Sequence, residues 1–107
     1  MSYLDHLKLI TAWDSKPELT EDDLNGALAT AAIADADGHA PTHVSWSPTY
    51  DLNAAAAAAW LIKAARAVPE VEVEGTDPAI LTSKVFDNCR SMARIYAVKR
   101  TATVDIN

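Results

Sequence analysis

The chain has 107 residues, 50% of them hydrophobic and 22% charged, which supplies one core and leaves no length for a second domain. Fifteen acids against nine bases leave a formal charge of −6; that sign opposes unspecific nucleic-acid binding, where a cationic surface must displace counterions from phosphates. The single cysteine, Cys89, excludes an internal disulfide or a cysteine-cluster metal site and fits a reducing compartment. No long apolar run or basic-then-apolar leader points to a membrane span or to export.

Ser2 with Asp5 three residues on is a capping pair, and Leu4, Leu7, Ile10 and Trp13 follow at near-helical spacing, predicting a helix over 3–13. Asp14-Ser15-Lys16-Pro17 interrupts it, because proline disfavours the helical conformation in the residue before it. Thr20 is placed to cap a second helix through the N–H of Asp23. Glu21, Asp22 and Asp23 then sit where the helix dipole favours negative charge, and Leu19 and Leu24 fall at staple positions. This helix is expected to carry Leu24, Leu28 and Ala31 inward and to end in Asp35-Ala36-Asp37-Gly38, with glycine as the stop. Residues 38–47 read as an ordered, irregular loop holding His39, His43 and Trp46.

A third helix is expected to start at Ser47-Pro48, Thr49 or Asp51 and to run to Pro69. From Leu52 to Val68 its only charges are Lys63 and Arg66, and Ala54 to Ala59 are six consecutive alanines. A helix apolar nearly all round is buried on several sides. Three neighbours from so short a chain are expected to leave part of it uncovered, for other copies or a partner to bury. Glu70 to Glu74 alternates acid and valine as a short exposed strand or extended linker that closes at Gly75. Asp77-Pro78 opens a fourth helix, along which Leu81, Val85, Cys89, Met92 and Tyr96, with Ala93 alongside, form an amphipathic stripe. From Lys99 the period changes to alternation, in which Thr101, Thr103, Asp105 and Asn107 interleave with Ala102, Val104 and Ile106. The expected fold is all-α: a small four-helix bundle with a long C-terminal helix over residues 1–100, then an extended C-terminal tail over 101–107.

Candidate chemistry is sparse. His39 and His43 are four residues apart and suit two zinc ligands, but a tetrahedral site needs more, and solvent-facing loop side chains are the plainer reading. Cys89 reads as a small buried hydrophobe. Capping accounts for the acids at 21–23 without a cation, and Gly26, Gly38 and Gly75 are too far apart for a phosphate loop. No catalytic residue, metal site or cofactor is expected.

Charge distribution is more informative. Residues 1–53 hold nine acids and two bases, −7, whereas residues 54–107 hold six acids and seven bases, +1. The bases gather at Lys84, Arg90, Arg94, Lys99 and Arg100. One reading is a solvated face with bases near a helix C-terminus; the other is head-to-tail complementarity between copies, in which Arg90 and Arg94 meet an acidic flank. Trp46 and Tyr50 bracket Ser47-Pro48-Thr49 and read either as interface anchors or as plugs at the end of a small core.

The run Trp46-Ser47-Pro48-Thr49-Tyr50-Asp51-Leu52-Asn53-Ala54-Ala55, continuing to Trp60-Leu61-Ile62-Lys63-Ala64-Ala65, resembles the head-tail connector (adaptor, or head completion) proteins of long-tailed double-stranded DNA bacteriophages. The run Thr82-Ser83-Lys84-Val85-Phe86-Asp87-Asn88-Cys89-Arg90-Ser91-Met92-Ala93-Arg94-Ile95-Tyr96 is similar to the last long helix of that family. The likeness covers roughly residues 46–97, and the Leu-Thr-Glu-Asp-Asp start of helix 2 is of the same type. It implies a non-enzymatic virion protein, made in the host cytoplasm. Copies would form a ring, commonly of twelve, at the neck of the particle beneath the portal protein. The ring would extend the DNA channel without specific DNA binding and present a surface to a stopper or tail-terminator protein. The family's C-terminal segment reaches into the portal assembly, which makes Thr101, Ala102, Thr103, Val104, Asp105, Ile106 and Asn107 candidate contacts beside Trp46, Tyr50, Arg90 and Arg94. The alternative is a small cytoplasmic regulatory protein that takes a partner helix in a groove beside helix 3.

Overall fold

Ser2 is an N-cap, its hydroxyl accepting the N–H of Asp5 at 3.0 Å. The helix that follows is the first of four in the computed structural model, which describes the backbone of residues 2–70 and 78–99 and the side chains of 2–67 and 84–99. They are α1 (Tyr3–Thr11), α2 (Glu21–Thr30), α3 (Leu52–Glu70) and α4 (Pro78–Lys99). The fold is all-α; among the described residues the one β-type pairing is an isolated antiparallel bridge between Ala32 and Tyr50. The alternation at Val71 to Glu74 and the tail at 101–107 lie outside the described residues.

α1 stops two residues sooner than its apolar spacing suggests. Ala12 turns left-handed, with φ 47°, a conformation that costs a residue with a Cβ roughly 1–2 kcal/mol. What holds it there comes from α3. Trp60 Nε1 donates to the Ile10 carbonyl at 3.2 Å, and Lys63 Nζ donates to the carbonyls of Ala12 and Ser15, both at 2.8 Å. One turn further, the Arg66 guanidinium donates to the Glu18 carbonyl at 3.3 Å and forks onto the Asp23 carboxylate. Trp60, Lys63 and Arg66 are three residues apart, so this row winds around α3 in step with the incoming chain from residue 10 to residue 23.

α2 begins with the expected capping box: Asp23 N–H donates to Thr20 Oγ1 at 3.1 Å, and Thr20 N–H donates to Asp23 Oδ2 at 2.8 Å. Leu19 and Leu24, the staple positions, are both buried. Its end differs from the expected one. The helix closes at Thr30 rather than near Gly38, because the chain beyond it pairs with the segment before α3: Ile33 N–H donates to the Thr49 carbonyl and Asp51 N–H to that of Ala31. Of the three possible starts for α3, Asp51 is the one used, its Oδ1 accepting from the N–H groups of Asn53 and Ala54.

α3 is the central helix. α1 and α2 pack on it and on each other, and among the described residues α4 packs on α3 alone. The side chains of Ala55, Ala56, Ala59, Trp60, Ala64 and Ala67 are buried, leaving Leu61 and Ala65 exposed. As expected, part of this helix is left uncovered by its own chain: Leu61, 55% exposed, and Ala65 form an open strip with Ala58 and Ile62 half-buried beside it. Alanine lets neighbouring backbones approach closely, so three helices cover the rest, a surface that larger residues would spread beyond their reach. α4 contributes Cys89 and Ala93 to the core, with Val85, Met92 and Tyr96 partly buried beside them. Its far end is pinned where Asn53 Nδ2 donates to the Lys99 carbonyl at 3.3 Å.

Lys63 is 1% exposed. Replacing it with methionine keeps the volume but removes the ammonium's hydrogen bonds to the Ala12 and Ser15 carbonyls, of which Ala12 keeps the Ser15 N–H, and a hydrogen bond to a charged group contributes about 1.5–3 kcal/mol. Lys63→Met is expected to lower the urea unfolding free energy by about 2–4 kcal/mol and to speed amide exchange in the 12–18 turn; an unchanged midpoint would show that the lysine merely fills space.

Candidate functional site

Two regions hold the polar and aromatic residues that the sequence singles out: the loop between α2 and α3, and the outer face of α4. The loop, residues 33–49, is closed at its base by the Ala32–Tyr50 bridge and organised around one carboxylate. Asp35 Oδ1 accepts the N–H groups of Asp37 and His39, both at 2.9 Å, and Oδ2 accepts that of Ser47, also at 2.9 Å. His39 Nδ1 lies 3.3 Å from Oδ2. These donors, the Ser47 N–H first among them, hold the Asp35 carboxyl below the usual carboxylate range.

Trp46 and Tyr50 serve this loop. Trp46 Nε1 donates to the Ile33 carbonyl at 2.9 Å, and its ring meets the Tyr50 ring edge to face at 5.8 Å. Tyr50 in turn meets Tyr3 edge to face at 5.1 Å, which seats the loop on the start of α1. Both aromatic residues are half-buried at the loop base.

His39 and His43 stack with ring centroids 4.5 Å apart and an interplanar angle of 17°. His43 Nδ1 accepts the N–H of Ser45 at 3.0 Å. Ligand atoms of Asp35, Asp37 and His39 fall within 4.8 Å of one another, but the oxygens of Asp35 are committed to backbone donors. Two parallel stacked imidazoles, moreover, do not both hold one ion in their ring planes. The chemistry here is that of a turn. Cys89 is buried among apolar side chains, and that burial pushes its thiol up, opposed by the nearby Lys63 charge.

On α4, Arg90 lies over the Phe86 ring at 5.5 Å and is otherwise exposed, and Arg94 is exposed beside it. Ile95 and Val98 continue this face to the helix end, 46% and 85% exposed. The end of α4 meets the start of α3 just beyond the loop base through Asn53 and Lys99, and Thr101 to Asn107 lie outside the described residues.

No family model, curated protein or solved structure matches the chain. No helix among the described residues is long and apolar enough to cross a membrane.

Three polar residues with central parts in this architecture escaped sequence reading. Asp35 reads there as part of a helix stop; its signal is the turn chemistry of an aspartate followed by Asp-Gly-His, whose N–H groups curl back onto the carboxylate. Lys63 and Arg66 stand out as the only charges in an apolar helix, yet their partners are carbonyls and a carboxylate some 43–51 residues earlier in the chain.

Asp23 is also held below the usual carboxylate range, chiefly by its hydrogen bonds to Arg66 and then by the Thr20 N–H. A carboxyl depressed in the folded state stabilises it fully above its unfolded value near 4, and that contribution disappears as pH falls through the folded value. The urea midpoint is accordingly expected to be flat from pH 7 to about 5 and to fall steeply below about 4. Asp35→Asn is expected to be less stable at pH 7 and to show a shallower acid limb; identical limbs in wild type and variant would mean that Asp35 takes no part.

Proposed function

We propose that the chain is a structural subunit of the neck of a tailed bacteriophage: a ring-forming adaptor between the portal and a stopper or tail-terminator, through which DNA passes without specific binding. Two lines of support meet at one place. The segments that resemble head-tail connectors, 46–65 and 82–96, fall mainly on α3 and α4, and these two helices pack along each other. The observation that carries the reading is the outer face of α4, which among the described residues packs on α3 and turns Arg90, Arg94, Ile95 and Val98 outward. An assembly protein needs a committed outward face on a rigid support, and a helix lying on a buried alanine-rich core is such a support. The reading assigns no catalytic step and no cofactor to the chain.

A regulatory module that captures a helix beside α3 has less support, since among the described residues α1, α2 and α4 occupy most of α3 and leave a narrow strip at Leu61 and Ala65.

The test uses portal-bearing heads of the phage that encodes the chain. Full-length protein is expected to bind them and to appear as a ring at the neck by electron microscopy. A form ending at Arg100 is expected to keep its helical circular dichroism and lose attachment. Heads that ignore the full-length protein would remove the adaptor reading, while attachment of the truncated form would remove the tail from the docking.

A further inference from the structure

We infer that the last turn of α4 on one copy seats in a groove beside the end of α1 on a second copy, apolar on apolar and base against acid. This deepens the adaptor reading and rests on it for the closing of the contacts into a ring. The groove has a volume of about 660 Å³. Leu9, Ala12 and Trp13 supply its apolar lining, and Asp5 and Asp14 supply its acids. Leu9 is 68% exposed and Leu61 55%, whereas the other described leucines, at 4, 7, 19, 24, 28 and 52, are buried or half-buried. Lys8, also in the lining, is already engaged: its ammonium pairs with Glu21 and lies 4.7 Å above the Trp13 ring. The groove's own charge is therefore negative. None of the ion pairs among the described residues engages Asp5 or Asp14.

The opposing surface has the complementary chemistry. Ile95 and Val98, at i and i+3, form a two-residue apolar ridge on the open side of α4, between Arg94 and Lys99. Arg94 is exposed and likewise outside those ion pairs. Among the described residues α1 and α4 pack on α3 and not on each other, so ridge and groove are left to meet between molecules. A contact joining two different surfaces is heterologous, and repetition of it gives a ring when the rotation closes. The apolar pair supplies the attraction, while the charges set the orientation and make the association weaken with salt.

Single-cysteine insertions test the pairing. Leu9→Cys and Val98→Cys both fall at exposed positions, and native Cys89 is buried and stays out of exchange. The two variants, each checked for native circular dichroism, are mixed in equal amounts at millimolar concentration in a glutathione redox buffer. Random collision yields twice as much 9–98 dimer as either like pair. The inference expects the 9–98 species to exceed that ratio at least fivefold. Adding Arg94→Glu to the Val98→Cys chain is expected to slow its formation about threefold to fivefold, the value of one exposed ion pair, and Asp14→Arg in the other chain to restore it. A statistical ratio, absence of dimer, or a rate indifferent to both charge changes would overturn the inference. Sedimentation of the cysteine-unmodified protein gives an independent reading: wild type is expected to self-associate more tightly than Arg94→Glu, and equal affinities count against the pairing. Preferred 9–98 linkage in a protein that ignores portal-bearing heads would sink the adaptor reading and leave the contact; attachment with statistical linkage would do the reverse.

Discussion

A buried ammonium holds this fold in register. Lys63 sits inside the bundle, where an uncompensated charge is costly, and is accommodated because the C-terminal end of α1 offers what a cation needs: the Ala12 and Ser15 carbonyls at 2.8 Å, in a region the helix dipole makes negative. The Trp60 ring lies 5.2 Å from the same ammonium, adding a weaker attraction. Trp60 and Arg66 repeat the arrangement one step before and one step after. Sliding α1 along α3 by a turn would strand all of these groups at once. An alanine surface alone gives close packing with little to distinguish one register from the next. In α3 the alanines supply proximity and the polar row supplies position.

The same row explains how a short chain covers most of a helix that is apolar on nearly every side. By capturing the 10–23 segment, it brings α1 and the start of α2 down onto one part of α3, and most of the remaining flank is covered by α4 running back along it. The capping box of α2 is part of this arrangement, since Asp23 serves both the Thr20 N–H and the Arg66 fork. Local and long-range requirements fall on one side chain.

How much of this was legible in the sequence depends on the range of each interaction. The caps at Ser2, Thr20 and Asp51, the staple of Leu19 and Leu24, and the stripe through Val85, Cys89, Met92 and Tyr96 are local signals, and the structure follows them. The end of α1 was misplaced because the Ala12 stop is imposed by a lysine 51 residues away. The end of α2 was misplaced because the strand-like pairing of 31–33 with 49–51 competes with helix continuation, and nothing near Thr30 announces it. The open strip of α3 at Leu61 and Ala65 follows from its all-round apolar composition, although its small residues shrink the perimeter that neighbours have to span. Within the candidate surfaces, the basic character of Arg90 and Arg94 was visible. The exposed Leu9 above an acid-rimmed groove was not, because helical spacing alone does not say which of several leucines the fold leaves outside.

The loop around Asp35 offers a practical handle. Its feet are joined by the Ala32–Tyr50 bridge and its interior is tied to one carboxylate, whereas its crown projects so far that Val44 is 96% exposed. Foreign sequence spliced at that crown, such as a short affinity epitope or a fluorophore-bearing peptide, would hang from a closed ring of hydrogen bonds instead of prying apart two helices. The molecule thus carries a labelling port on a loop crown outside both the outer face of α4 and the lining of the α1 groove, at which its position within a larger particle can be read.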